Sequence, residues 1–220
     1  ATPSTRPGPP DPVNGATPNP SVASLRAQFG AAIGRTFVSC GDTIVVVARG
    51  RSHDILRWLK ETPTEAYDYL TDLTAVEYRD REHPLEVVYL LWSLSRRVLL
   101  RVKVELPKDK LLLVDSVVDL WRAADWLERE VYDMFGITFR GHPDLRRILM
   151  WDTYAEGHPL RKDFPLRGRF SRAEQTRQAL AGAPEANYSL EELSIAEAYQ
   201  SVPGEMRERL ARQGRPQGVE

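Results

Sequence analysis

Leu85 to Leu94 is apolar at nearly every position, whereas Val98 to Leu106 alternates, with Val98, Leu100, Val102 and Val104 set against Leu99, Arg101, Lys103 and Glu105. The first pattern predicts a strand covered on both faces, the second a strand with one face toward water. Ser95-Arg96-Arg97 is short enough to join them as an antiparallel hairpin, with the first strand central and the second half-exposed. Thr43 to Val47 is an apolar, β-branched strand, and Leu70 to Tyr78 a further one. Two helices precede and separate these strands. Val22, Leu25, Phe29 and Ile33 make one face of a helix over Ser21–Ile33, and Ser52 caps a second that carries Ile55, Leu56 and Leu59.

A third helix is predicted from Asp115 or Ser116, with Val117, Trp121, Ala124, Leu127, Val131 and Phe135 recurring at three- and four-residue steps. Asp125, Arg129 and Asp133 stand four apart on another side, where opposite charges support a helix by about 0.2–0.5 kcal/mol per pair. Gly136 ends it, because a residue without Cβ takes the left-handed conformation after a last turn. Ile137-Thr138-Phe139 is then a short extended piece and Gly141-His142-Pro143-Asp144 a turn, since Pro143 forces His142 out of the helical region. These elements predict an α+β fold: a small mixed or antiparallel sheet with helices packed on it, over residues 21–139, followed by an extended, partner-bound tail.

The flanks differ in composition. Residues 1–20 hold seven prolines and almost no large apolar side chain, which predicts a disordered or partner-draped arm. Residues 115–133 carry six acidic and two basic side chains, whereas 140–172 carry eight basic and four acidic. The latter segment, with Leu145, Ile148, Leu149, Met150 and Trp151 among its arginines, is composed like an interface. Residues 173–220 break into short pieces: Glu174–Ala181, a capping box at Ser189-Leu190-Glu191-Glu192, and Met206–Arg212. Pieces this short are either frayed or held by something else.

A formal net charge of −1 argues against nucleic acid as a main partner, which normally shows as a strongly basic face. The longest apolar run, Val87–Trp92, is far short of the roughly 18 residues that cross a bilayer, and no secretory apolar region is visible near Ala1. The single Cys40 cannot by itself hold a structural metal or cluster and reads as a small buried or half-buried hydrophobe. His142, Asp144 and His158 are residue types that ligate zinc or iron, which would suit a stand-alone metal-dependent hydrolase. Both histidines, however, precede prolines in turns and sit next to arginines, whose charge opposes a cation. Glu128, Glu130 and Asp133 are carboxylates of the acid–base kind, but on one helix beside Arg129 structural ion pairing is the simpler reading. Arg161, Lys162, Arg167, Arg169 and Arg172 suit an ordinary solvated or subunit-facing basic loop better than a site for phosphates or anionic lipid. No phosphate-cradling glycine loop or nucleophile elbow is present.

The run Glu128-Arg129-Glu130-Val131-Tyr132-Asp133-Met134-Phe135-Gly136, continued by Gly141-His142-Pro143-Asp144-Leu145-Arg146-Arg147-Ile148-Leu149, resembles the signature of the 30-kDa subunit of respiratory complex I. Bacterial members of that family are the C-type subunit, and chloroplast and cyanobacterial relatives the J-type subunit. Gly157-His158-Pro159-Leu160-Arg161-Lys162-Asp163 is similar to the family's second motif. The two motifs make up about a fifth of the chain, and residues 1–20 and 173–220 match nothing in the family.

The resemblance implies an accessory subunit of the peripheral arm of the proton-translocating NADH:quinone oxidoreductase, on the cytoplasmic face of the bacterial inner membrane. The chain itself would hold no cofactor; NADH, FMN, iron–sulfur clusters and quinone would belong to the assembled complex. It would pack on the hydrogenase-like 49-kDa-type subunit (the D type), near the iron–sulfur subunits of the B and I type. Glu128, Arg129, Glu130, Tyr132, Asp133, Gly136, His142, Pro143, Asp144, Arg146, Arg147, His158, Pro159, Arg161 and Asp163 would mark the partner interface, with guanidinium groups bridging it. An equivalent subunit of a membrane-bound hydrogenase or of a ferredoxin:plastoquinone reductase fits the same residues.

Overall fold

The computed structural model describes residues 19–79, 82–107, 111–151, 153–166 and 168–182. The expectations for the proline-rich arm, apart from its last two residues, and for the chain beyond residue 182 lie outside them.

Strands β1 (Ile33–Ser39), β2 (Asp42–Val47), β3 (Tyr69–Glu77), β4 (Leu85–Ser93) and β5 (Val98–Leu106) form one sheet in the order β1-β2-β5-β4-β3. Neighbours are antiparallel except β2 and β5, which run parallel with Thr43 opposite Leu100 and Val47 opposite Val104. The sheet is therefore mixed. The β4–β5 hairpin forms in the expected register, Val87 facing Val104 and Tyr89 facing Val102. β4 is a central strand, as expected, lying between β5 and β3, and β2 adds to the other edge of β5. The charged side of β5 is kept from water by paired charges instead of a layer of helices. Lys103 lies 2.6 Å from buried Glu86, Arg35 2.7 Å from Glu105 and Arg101 2.6 Å from Asp42.

Helices α1 (Ser21–Phe29), α2 (Ser52–Glu61) and α3 (Ala124–Phe135) send Val22 and Leu25, Ile55, Leu56 and Leu59, and Val131, Met134 and Phe135 into one core with the other sheet face, where Val45, Val102, Val87, Tyr89 and Leu73 lie buried. Two further short strands, β6 (Leu113–Asp115) and β7 (Thr138–Arg140), pair in parallel, and Arg140 meets Asp115 across them. Helix α4 (Arg172–Gly182) belongs to a second compact unit, where Glu174 pairs with Arg177 one turn on.

Several local expectations are corrected. Ile33 leaves the first helix and starts β1, because a tight turn at Gly30, at φ +48°, breaks the apolar periodicity. Ser52 does not cap α2: its hydroxyl donates backward to Arg49 O at 2.9 Å and the helix begins at Ser52 itself. Cys40 is exposed, since Cys40 and Gly41, at φ +52° and +89°, form the two-residue tip of the β1–β2 hairpin. The third helix starts at Ala124, some eight residues later than the periodicity suggests. Over 116–123 local bonds compete with the helix: the Ser116 hydroxyl accepts from Val118 N, and the Val117 amide donates sideways to Glu128.

Candidate functional site

Gly136 ends α3 as expected, at φ +74°, and from there the two motifs fold back on the helix. The Asp125–Arg129–Asp133 ladder expected along the helix is replaced by bonds to those returning segments. Arg129 donates from Nε to Arg146 O at 3.2 Å and from Nη2 to Arg147 O at 3.1 Å, while its guanidinium lies over the exposed Trp126 ring at 5.2 Å. One planar fork thus holds two successive carbonyls in a fixed geometry that the rotating donors of an ammonium do not impose.

Asp133 is the centre of the arrangement. Its carboxylate is fully buried; Oδ1 accepts from Arg147 Nη1 at 2.5 Å, and Oδ2 accepts from the amides of Ile148, Leu149 and Met150 at 3.1, 2.8 and 2.8 Å. Burial pushes this carboxyl up, but the Met150 amide, the Arg147 guanidinium and the Leu149 and Ile148 amides outweigh it and hold the group below the usual carboxylate range. Four donors on one buried carboxylate dictate the path of residues 147–150.

The last carbonyls of α3, which have no partner within the helix, are met by the second motif. His158 donates from Nδ1 to Asp133 O at 2.9 Å, Leu160 N to Met134 O at 3.1 Å, and Arg161 Nη1 to Phe135 O at 3.1 Å. A cation at this end also opposes the negative pole of the helix. The His158 ring lies so close that a Cβ on Gly136 would meet it at 2.5 Å, and Tyr132 packs edge-on against it. Arg147 reaches on to Gly157 O at 3.2 Å, so one side chain joins both motifs. The second motif is tied in turn to the sheet, where Glu77, at the end of β3, accepts from Lys162 N at 2.7 Å. Sequence reading missed Glu77: it lies 85 residues from its partner, in a strand with no other signal.

His142 is engaged at both ring nitrogens. Nδ1 accepts from the Asp144 amide at 3.0 Å, so the neutral ring carries its hydrogen on Nε2, which donates to Asp125 O at 3.1 Å. His158 is committed to Asp133 O, and among the described residues no three His, Cys, Asp or Glu side chains gather to hold a metal. Pro143 and Asp144 are exposed, and Asp144 pairs with exposed Arg146 at 2.8 Å. Glu130 and Asp163 face outward and Pro159 is half-buried. Glu128 is the second fully buried carboxyl: burial pushes it up to about 7, against the opposing bonds from the Val117 amide and the Ser116 hydroxyl. The constellation fixes an irregular loop on the end of one helix.

The sequence profile of the family described as "Respiratory-chain NADH dehydrogenase, 30 Kd subunit" matches residues 45–170, which include every residue of this clamp. The chain belongs to this family. The C-type subunit of the NADH-quinone oxidoreductase of Geobacter sulfurreducens is 46% identical over 151 residues, covering 68% of this chain and 91% of the relative. A second C-type subunit of the enzyme from Rhizobium etli is 41% identical over 153 residues, 69% of this chain and 79% of the relative. Among solved structures, a chain of an archaeal respiratory membrane complex, the membrane-bound sulfane sulfur reductase, superposes with a TM-score of 0.56 at 25% identity, over 72% of this chain and 88% of that one. As a 30-kDa subunit, the chain is one component of a respiratory-chain NADH dehydrogenase. No helix among the described residues is long and apolar enough to cross a membrane.

Proposed function

We propose that the chain is a cofactor-free structural subunit of the peripheral arm of NADH:quinone oxidoreductase, whose signature loop docks on the hydrogenase-like 49-kDa-type subunit. The arm stands on the cytoplasmic face of the bacterial inner membrane, and the iron–sulfur subunits of the B and I type lie nearby. One observation carries this reading: the donors of Arg129, Arg147, His158 and Arg161 fix the loop from within, while Leu149, Leu160 and Leu166 of the same segment point to water. Apolar side chains held outward on a rigid loop are what a permanent docking contact requires, because the ordering cost is met before binding. Electrons pass through the neighbours, and this subunit sets the geometry in which they do so.

The test is purification from membranes through a C-terminal tag, with identification of the co-purifying chains and an NADH:quinone assay on the eluate. Recovery of the 49-kDa-type subunit, lost in the Leu149→Ser, Leu160→Ser double variant at unchanged fold, is the expected result. A chain that emerges alone, or a double variant that co-purifies normally, overturns the docking. The likeness to the sulfane sulfur reductase chain favours a second reading, an equivalent place in a related membrane complex with another electron donor. The same eluate separates the two, since only the first contains NADH-oxidising subunits.

A further inference from the structure

An apolar cleft of about 430 Å³ opens at the end of the sheet where β3 begins and β4 turns into β5, lined by Tyr69, Thr71, Trp92, Leu94 and Leu99. Tyr69 is the register partner of Trp92, and Trp92 of Leu99, so the three side chains share a face. It is the face away from the helices, since Leu70, Leu91 and Leu100, one residue along each strand, lie in the core. Tyr69 is 53% and Leu94 59% exposed. Further along this face ion pairs cover the strands, whereas here aromatic and aliphatic carbon is open to water.

The chain enters the fold at the end of the sheet that carries this cleft, from the opposite, helix-covered face. Asn19 is buried there: its amide donates to Thr43 Oγ1 at 2.9 Å, and its side-chain nitrogen donates to Tyr67 at 2.8 Å and to Leu99 O at 3.2 Å. Leu99, whose carbonyl pins the entry point, also lines the cleft. The preceding eighteen residues contain Pro3, Pro7, Pro9, Pro10, Pro12 and Pro18, with Val13 as their single large aliphatic side chain. Proline-rich backbone is the established kind of ligand for grooves lined by Trp and Tyr, because a pre-stiffened chain loses little entropy on docking.

We propose that residues 1–18 dock through their prolines on the Tyr69–Trp92 cleft. A tether at Asn19 makes the encounter intramolecular, at an effective concentration around millimolar, so a weak site suffices. Occupation would cover an apolar patch that otherwise invites a second copy or a foreign chain.

Hydroxyl-radical footprinting read by mass spectrometry tests this on the full chain, on a chain lacking residues 1–17, and on a full-length variant with the six prolines changed to Ser. Tyr69 and Leu94 are expected to oxidise several-fold faster in both altered chains, while Trp126 and Leu149, exposed elsewhere, keep their rates and report an intact fold. Equal rates at Tyr69 and Leu94 in all three overturn the proposal. Protection in the full chain that fades on dilution also overturns it, by assigning the cleft to a second copy.

Discussion

Asp133 and Arg147 meet at 2.5 Å at the end of α3, and between them they reach both motifs: the carboxylate holds the amides of residues 148–150, and the guanidinium also holds Gly157 O. The pair is a hub from which the shape of the loop follows.

Asp133→Asn leaves the Arg147 cation without its counter-charge in a mostly buried site and removes one acceptor from the amide cluster. Breaking one side of a buried pair costs about 3–5 kcal/mol, a large share of a normal domain's stability. Urea denaturation should show this loss in the isolated chain. The sign with pH follows from the depressed carboxyl: the contribution is complete above the unfolded-state carboxylate range and is lost as pH falls through the lower folded value. Wild type and Asp133→Asn should therefore converge in acid.

Glu128 behaves in the opposite sense. Its folded value of about 7 lies above the unfolded one, so stability is full in acid and declines as pH rises from about 4.5 to about 7. Glu128→Gln keeps an oxygen for the Val117 amide and removes the titration. The variant should gain on wild type across that interval, by up to roughly 3 kcal/mol at pH 8, in thermal melts taken at several pH values. Parallel pH profiles for the two proteins would contradict this.

Gly136→Ala meets two costs where Gly141→Ala meets one. Both glycines have positive φ, at +74° and +86°, but a Cβ strikes the His158 ring only at Gly136 and finds open space at Gly141. A left-handed alanine costs about 1–2 kcal/mol, and overpacking adds about 1–3 kcal/mol. Chemical denaturation should rank Gly136→Ala clearly the worse, with the His158 imidazole resonances displaced in that variant alone.

Arg129→Lys preserves charge and loses the fork to Arg146 O and Arg147 O. Hydrogen exchange at the Ile148, Leu149 and Met150 amides should then accelerate at a stability cost of about 1.5–3 kcal/mol, while β4 and β5 exchange as before. Unchanged exchange at those three amides would show that Asp133 alone sets the loop.

The strands and the end of α3 were readable because each rests on a short-range signal: two-residue alternation in β5, unbroken apolar sequence in β4, glycine after Phe135. The β2–β5 pairing was not readable, since parallel register between strands some fifty residues apart leaves no local trace. The residues of the two motifs were visible as a set, but their contacts were not. Arg129 and Asp133 at four-residue spacing look like an ion pair along the helix, and the nearer carbonyls and amides of 146–150 took their place. A spacing rule cannot foresee a loop that folds back onto its own helix. The outward-facing residues, Glu130, Asp144 and Arg146 among them, were named from the family resemblance and stay with the docking proposal.

The order of strands also has a bearing on synthesis. β1–β2 and β3–β4 are both complete before Val98 is made, yet neither hairpin is bonded to the other; β5 slots between them and joins both. Until it arrives, the edges of β2 and β4 that it will join stay unpaired, the kind of surface that recruits other chains. A ribosome-bound chain halted ahead of β5 should therefore be a substrate for chaperones, and one halted well after Leu106 should not.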